Sequence, residues 1–155
     1  MKKILLIIGI ILVLAIITVI GKNIASNMLT PIATINSQSF HLYVAKTPKE
    51  KEIGLSKYKT LPQNYAMLFP FDQEGFHSFW MKDMKFALDI IFIKGDTIVT
   101  IHRNALNPNG ENSTSLPIYM STTPSDLVLE INAGLSEKYD FQEGDTVILK
   151  NLKEL

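Results

Sequence analysis

The chain has 155 residues, with 15 basic and 15 acidic side chains and no cysteine. That length holds one domain plus an anchor, and the charge balance provides no basic face for nucleic acid. Without cysteine there are no disulfides, thiolate nucleophiles or cysteine-ligated zinc.

Lys2 and Lys3 precede Ile4 to Ile20, a run of 17 residues with no charge and a single hydroxyl, Thr18. As a helix the run would be about 26 Å long. That is close to the roughly 30 Å hydrocarbon core, and flanking lysines can reach the headgroups. The amino terminus, Lys2 and Lys3 outweigh Lys22, so the positive-inside rule keeps the first residues in the cytoplasm and sends the rest across. A cleaved signal peptide is the rival reading. Its apolar region is usually about 7 to 15 residues and ends at an A-x-A-like site, whereas this run is longer and Val19-Ile20-Gly21 is a poor match. Residues 1–21 are therefore expected to be a signal anchor that spans the membrane through residues 4–20. Beyond Lys2 and Lys3, 13 basic residues face 15 acidic ones, a net of −2 on the exported part.

Residues 22–36 read as a polar linker that runs into a first strand at Ile32 to Ile35. The domain proper is expected over 37–155. Phe40 to Ala45 alternates apolar and polar side chains and predicts a strand. In TPKEKEIGLSKY, Thr47 and Glu50 form a capping box and Pro48 suits the first helical position, with Gly54 ending the helix after about two turns. Tyr65 to Phe71 predicts a buried strand that Pro70 ends or pushes to an edge, followed by a turn at Asp72 to Gly75. Phe76 to Met81 predicts another strand, then an irregular crossing over 82–87. Ile90 to Ile93 and Thr97 to His102 predict a hairpin across Lys94-Gly95-Asp96. Residues 103–117 hold four Asn, two Pro and one Gly, and predict a long loop of the kind that often carries function. Leu127 to Ile131 and Thr146 to Leu149 complete the strands, with a helical turn near Ser136 to Tyr139 between them. Many short strands with frequent turns predict a mainly β domain, a single compact sandwich or barrel with one or two short helices, preceded by one transmembrane helix.

The chemistry-bearing residues form no familiar catalytic set. Asp83 and Asp89 would stand about 20 Å apart on one continuous strand, against the roughly 5 to 9.5 Å that glycosidase carboxylates require. His41, His77 and His102 share no metal-type spacing, and there is no G-x-S-x-G, S-x-x-K or phosphate-binding glycine loop. One metal reading is open: His77, Met81 and Met84 offer imidazole and thioethers that suit monovalent copper, with Trp80 placed to lie over a cation. Against it, alternation sets Trp80 on the face opposite His77 and Met81, and methionine is a common core filler. Asp89 sits between Leu88 and Ile90 at the mouth of a buried strand. An unpaired carboxylate there is costly, so it should find backbone N–H groups or Lys82 as partners.

Six segments in order, VAKTPKEKEIGL, AMLFPF, HSFWMKDMKFALDIIFI, TIVTIHRNA, YMSTTPSDLVLEINAG and EGDTVIL, resemble the family known as domain of unknown function 192, over about residues 40–150. The chain departs from the family pattern at Ile53-Gly54-Leu55-Ser56, where Arg-Gly-Leu-Met is usual, and at Asp83-Met84 and Ala87-Leu88-Asp89, where Asn-Thr and Pro-Leu-Asp are usual. The resemblance implies a compact, mainly β domain, often exported, with no established reaction. Its recurrent exposed positions map to Trp80, Lys82, Asp89, Tyr119 and Ser121, which together with His77 would line one concavity. The leading expectation is a membrane-tethered extracytoplasmic binding or accessory module for a protein or carbohydrate ligand, with no catalytic residues, cofactor or metal. The alternatives are an envelope polysaccharide hydrolase using Asp89 with His77 or Asp83, and the copper(I) carrier.

Overall fold

The computed structural model describes residues 8–20, 30–107 and 116–152. Two compact units emerge, Met1–Thr30 and Pro31–Leu155. In the first, residues 8–20 are helical. Their large side chains, from Ile8 to Ile20, are each 49% to 60% exposed, so the helix is apolar on every side. Among the described residues no helix is long and apolar enough to cross a membrane. The expected span began at Ile4, and its residues 4–7 lie outside the described residues.

The second unit is mainly β. Strands β1 (Ile32–Ile35), β2 (Gln38–Val44), β3 (Tyr65–Gly75), β5 (Leu88–Lys94), β6 (Thr97–Ala105), β8 (Ser125–Asn132) and β9 (Val147–Lys150) form one sheet in the order β6-β5-β8-β3-β2-β1-β9. All neighbours are antiparallel except β2 and β3. That parallel pair is joined by helix α1 (Pro48–Ile53) and a 3-10 turn, Gly54–Lys57. The sheet curls until its edges meet at one end. There, Ile98 N–H donates to Asp145 O at 2.9 Å, Gly144 N–H to Ile98 O at 2.8 Å and Val147 N–H to Asp96 O at 2.7 Å. The result is a half-closed barrel.

The curl gives the central strands two buried faces. Ala66, Leu68, Ile91, Ile93, Leu127, Leu129 and Ile131 fill the barrel with Phe40 and Phe141, while Met67, Phe69, Leu88, Ile90, Phe92 and Val128 face a second core. Burial on both sides explains why β5 reads as an unbroken apolar run rather than an alternation. The second core is packed beneath the 3-10 turn and a separate two-stranded sheet of β4 (Ser78–Trp80) and β7 (Ile118–Met120). A four-residue helix, α2 (Leu135–Lys138), follows β8.

Several expectations are corrected. The strand at 76–81 shrinks to β4 and leaves the main sheet, because its partner is β7. The turn at Asp72 to Gly75 is instead an extension of β3, irregular between Pro70 and Gly75. Asp72, Gln73 and Glu74 are exposed there, so polar side chains suit a strand at that position. Pro70 neither ends β3 nor sits at the sheet's edge. Leu68 O accepts from Ala45 N–H, and alternation turns Pro70 to the same side, beyond the end of β2 at Val44. Its missing N–H therefore breaks no ladder bond. The expected loop at 103–117 begins later, since β6 runs to Ala105, and residues 108–115 lie outside the described residues. The capping box forms as the sequence predicts, with Glu50 N–H donating to Thr47 Oγ1 at 3.2 Å and Thr47 N–H donating to Glu50 Oε2 at 2.8 Å.

Candidate functional site

A cleft of about 310 Å³ opens where α1, the 3-10 turn, β3, β4, the 82–87 crossing and β8 converge. Its wall is aromatic because β3 and β4 bring Phe69, Phe71, Phe79 and Trp80 together. The Phe79 ring meets Phe69 edge-on at 5.0 Å and Phe71 at 6.4 Å, and the His77 ring stacks on Phe71 at 3.5 Å. Lys51 Nζ lies 4.4 Å from the centre of the Phe71 ring, and Lys82 Nζ lies 5.3 Å from that of Trp80. Trp80 remains 49% exposed, so its indole is an accessible face of the cleft rather than core.

Glu130 forms part of the cleft lining. It alternates with Leu129 and Ile131 and so shares Val128's side of β8, between Met67 on β3 and Ile90 on β5. Only 6% of it is exposed. Among the described residues its carboxyl makes no hydrogen bond or ion pair. Burial alone raises its carboxyl from 4.5 to about 8, since a desolvated carboxyl favours its neutral form. At neutral pH the cleft therefore holds a neutral acid. The sequence carried one signal for it, a single acid inside the apolar run LVLEI. Lys51 and Phe71 gave no separate signal.

The expected site residues divide. His77, Trp80 and Lys82 line the cleft, together with Met84. Asp89 does not join them. It is fully buried, and Oδ1 accepts from Asn104 N–H at 2.8 Å and Gly134 N–H at 3.1 Å. Its Oδ2 accepts from Ser136 N–H at 2.9 Å and Ser136 Oγ at 2.7 Å. Four donors saturate the carboxylate and tie β5 to β6 and to the start of α2, which leaves no group free for a substrate. Tyr119 pairs with Phe79 across β4 and β7 and packs on the second core, its ring 5.4 Å from that of His102. Ser121 is buried, its hydroxyl 3.3 Å from Thr100 Oγ1 and accepting from Thr123 N–H at 3.3 Å. Neither lines the cleft. Of the side chains weighed for copper, Met81 is buried in the second core.

The sequence profile of DUF192, described as an uncharacterized conserved family, matches residues 31–149. The chain belongs to the DUF192 family. The matched segment contains the seven strands of the half-barrel, except for the last residue of β9, the two strands of the smaller sheet and every residue that lines the cleft. Two solved structures share the fold of this DUF192 chain. A protein of unknown function from Novosphingobium aromaticivorans DSM 12444 is 27% identical, with a TM-score of 0.68 over 76% of this chain and 83% of the other. A Sinorhizobium meliloti 1021 protein, provisionally described as a transcription regulator, is 28% identical, with a TM-score of 0.70 over 79% and 95%. None of the curated proteins matches this DUF192 chain.

Proposed function

We propose that this protein is a membrane-tethered binding module whose DUF192 domain lies outside the cytoplasm and takes its ligand in the aromatic cleft. The observation that carries the reading is the convergence of His77, Trp80 and Lys82, from one short stretch, on a cleft that also holds an unpartnered acid, Glu130. Aromatic walls with a few converging polar groups are the usual make-up of a ligand pocket, and about 300 Å³ is the lower end of the usual size. The tether rests on the all-round apolar helix at 8–20, whose surface would be covered by lipid. The orientation rests on Lys2 and Lys3.

Calorimetric titration of the full chain with a panel of small neutral and anionic ring compounds and short oligosaccharides tests the reading. Trp80→Ala should weaken any hit at least tenfold and leave the thermal unfolding midpoint nearly unchanged, because half of the indole is already in solvent. A Trp80→Ala protein that unfolds, or that binds every hit as well as the parent, removes the cleft as the binding site.

A further inference from the structure

The cleft's charges point to one class of ligand. Lys51 and Lys82 form no ion pair among the described residues, and each ammonium lies over an aromatic ring that lines the cleft. The acids that line the cleft, Glu52 and Glu130, do not offset them. Glu52 pairs with Lys49 at 3.0 Å, and Glu130 is buried among apolar neighbours with no cation beside it. The cleft is thus positive. The exposed indole of Trp80 suits the C–H face of a puckered sugar ring, and an unpartnered carboxyl in the lining calls for a hydroxyl or ring oxygen.

We propose that the cleft binds an acidic sugar of the uronic acid type. Its carboxylate sits between Lys51 and Lys82, its ring lies on the exposed indole of Trp80, and a hydroxyl accepts a hydrogen bond from the Glu130 carboxyl. This inference rests on the binding reading above and names the ligand class of the same cleft. It requires Glu130 to keep its proton, so binding weakens once that proton is lost. The charged and titratable groups that line the cleft with Glu130 are Lys51, Glu52 and His77, with Lys82 from the crossing. On the flanking strands its register partners are Met67 and Ile90, which carry no titratable group.

Three probes separate the elements of the proposal when titrated calorimetrically into the full chain. Glucuronate carries ring hydroxyls and a carboxylate, glucose lacks the charge, and benzoate lacks the hydroxyls. Glucuronate should bind at least tenfold more tightly than either, and Lys82→Met should bring its affinity close to that of glucose. Its affinity should be level below pH 7 and fall about tenfold per pH unit above pH 8. Glu130→Gln has no proton to release, so whatever its absolute affinity, its glucuronate binding should lose that fall and stay level from pH 6 to about pH 9. Glucose or benzoate binding as tightly as glucuronate overturns the ligand class. A fall that survives in Glu130→Gln belongs to another cleft group and overturns the role of Glu130. Should none of the three bind while other compounds bind in a Trp80-dependent way, the acidic-sugar inference fails and the cleft reading stands. Hits indifferent to Trp80→Ala remove both.

Discussion

Glu130→Gln should alter the pH dependence of stability more than stability itself. Burial lifts the Glu130 carboxyl from 4.5 to about 8. Between those values the unfolded chain has released the proton that the folded chain still holds, so stability falls as pH rises. The stabilising contribution of the bound proton is complete below pH 4.5 and lost once the pH passes about 8. At about 1.36 kcal/mol per pH unit, that interval amounts to about 5 kcal/mol, of which about 4 kcal/mol lies between pH 5 and pH 9. Glutamine has nearly the same shape and no proton to release. Its buried amide has a cost of its own, but that cost is constant over this range. Urea unfolding of both proteins, followed by circular dichroism at pH 5, 7 and 9, should show the parent losing about 4 kcal/mol relative to the variant. A gap between the two that changes by less than about 1 kcal/mol across the range would mean that Glu130 ionises freely in the folded protein, and the reasoning fails.

Asp89→Ala leaves three backbone N–H groups and the Ser136 hydroxyl without an acceptor in a buried site, so it should cost about 3 kcal/mol or more in urea unfolding. A loss below about 1 kcal/mol would show that water replaces the carboxylate. Phe79→Ala and Trp80→Ala should separate despite being neighbours. Phe79 packs edge-on against Phe69, Phe71 and Phe92, and its truncation should cost about 3 kcal/mol. Trp80→Ala should cost less than about 1 kcal/mol, and equal costs would place the indole in the core.

The sequence disclosed local order better than it disclosed neighbours. The capping box at Thr47 and Glu50, the hairpin through Gly95 and the strands at 32–35 and 127–131 follow from propensity and pattern within a few residues. The separation of β4 from the main sheet does not. It depends on the register Phe79↔Tyr119 with a strand 40 positions away. Pro70 misled for a similar reason. A proline is costly only where a ladder bond is required, and whether β2 extends that far is set elsewhere in the chain. The site was legible where its residues are adjacent, at His77, Trp80 and Lys82. It was illegible where β8 contributes Glu130 and α1 contributes Lys51.

Asp89 and Glu130 show why the rest could not be read. Each is a single acid inside an apolar run, Leu88 to Ile93 and Leu127 to Ile131, and each is buried by the same half-barrel. Their fates diverge through groups distant in sequence. Asp89 meets Ser136 from 47 positions away and Asn104 from 15, because the β6 backbone and the start of α2 close on it with N–H groups pointing inward. Glu130 lies between Met67 and Ile90, which offer it carbon. The first acid is fully bonded within the fold and holds elements together. The second has a hydrogen-bonding group with nothing inside the fold to receive it, and it faces the cleft. A buried polar group without a partner is destabilising, and here the opening beside it is the place where a partner from outside the chain can supply the missing bond.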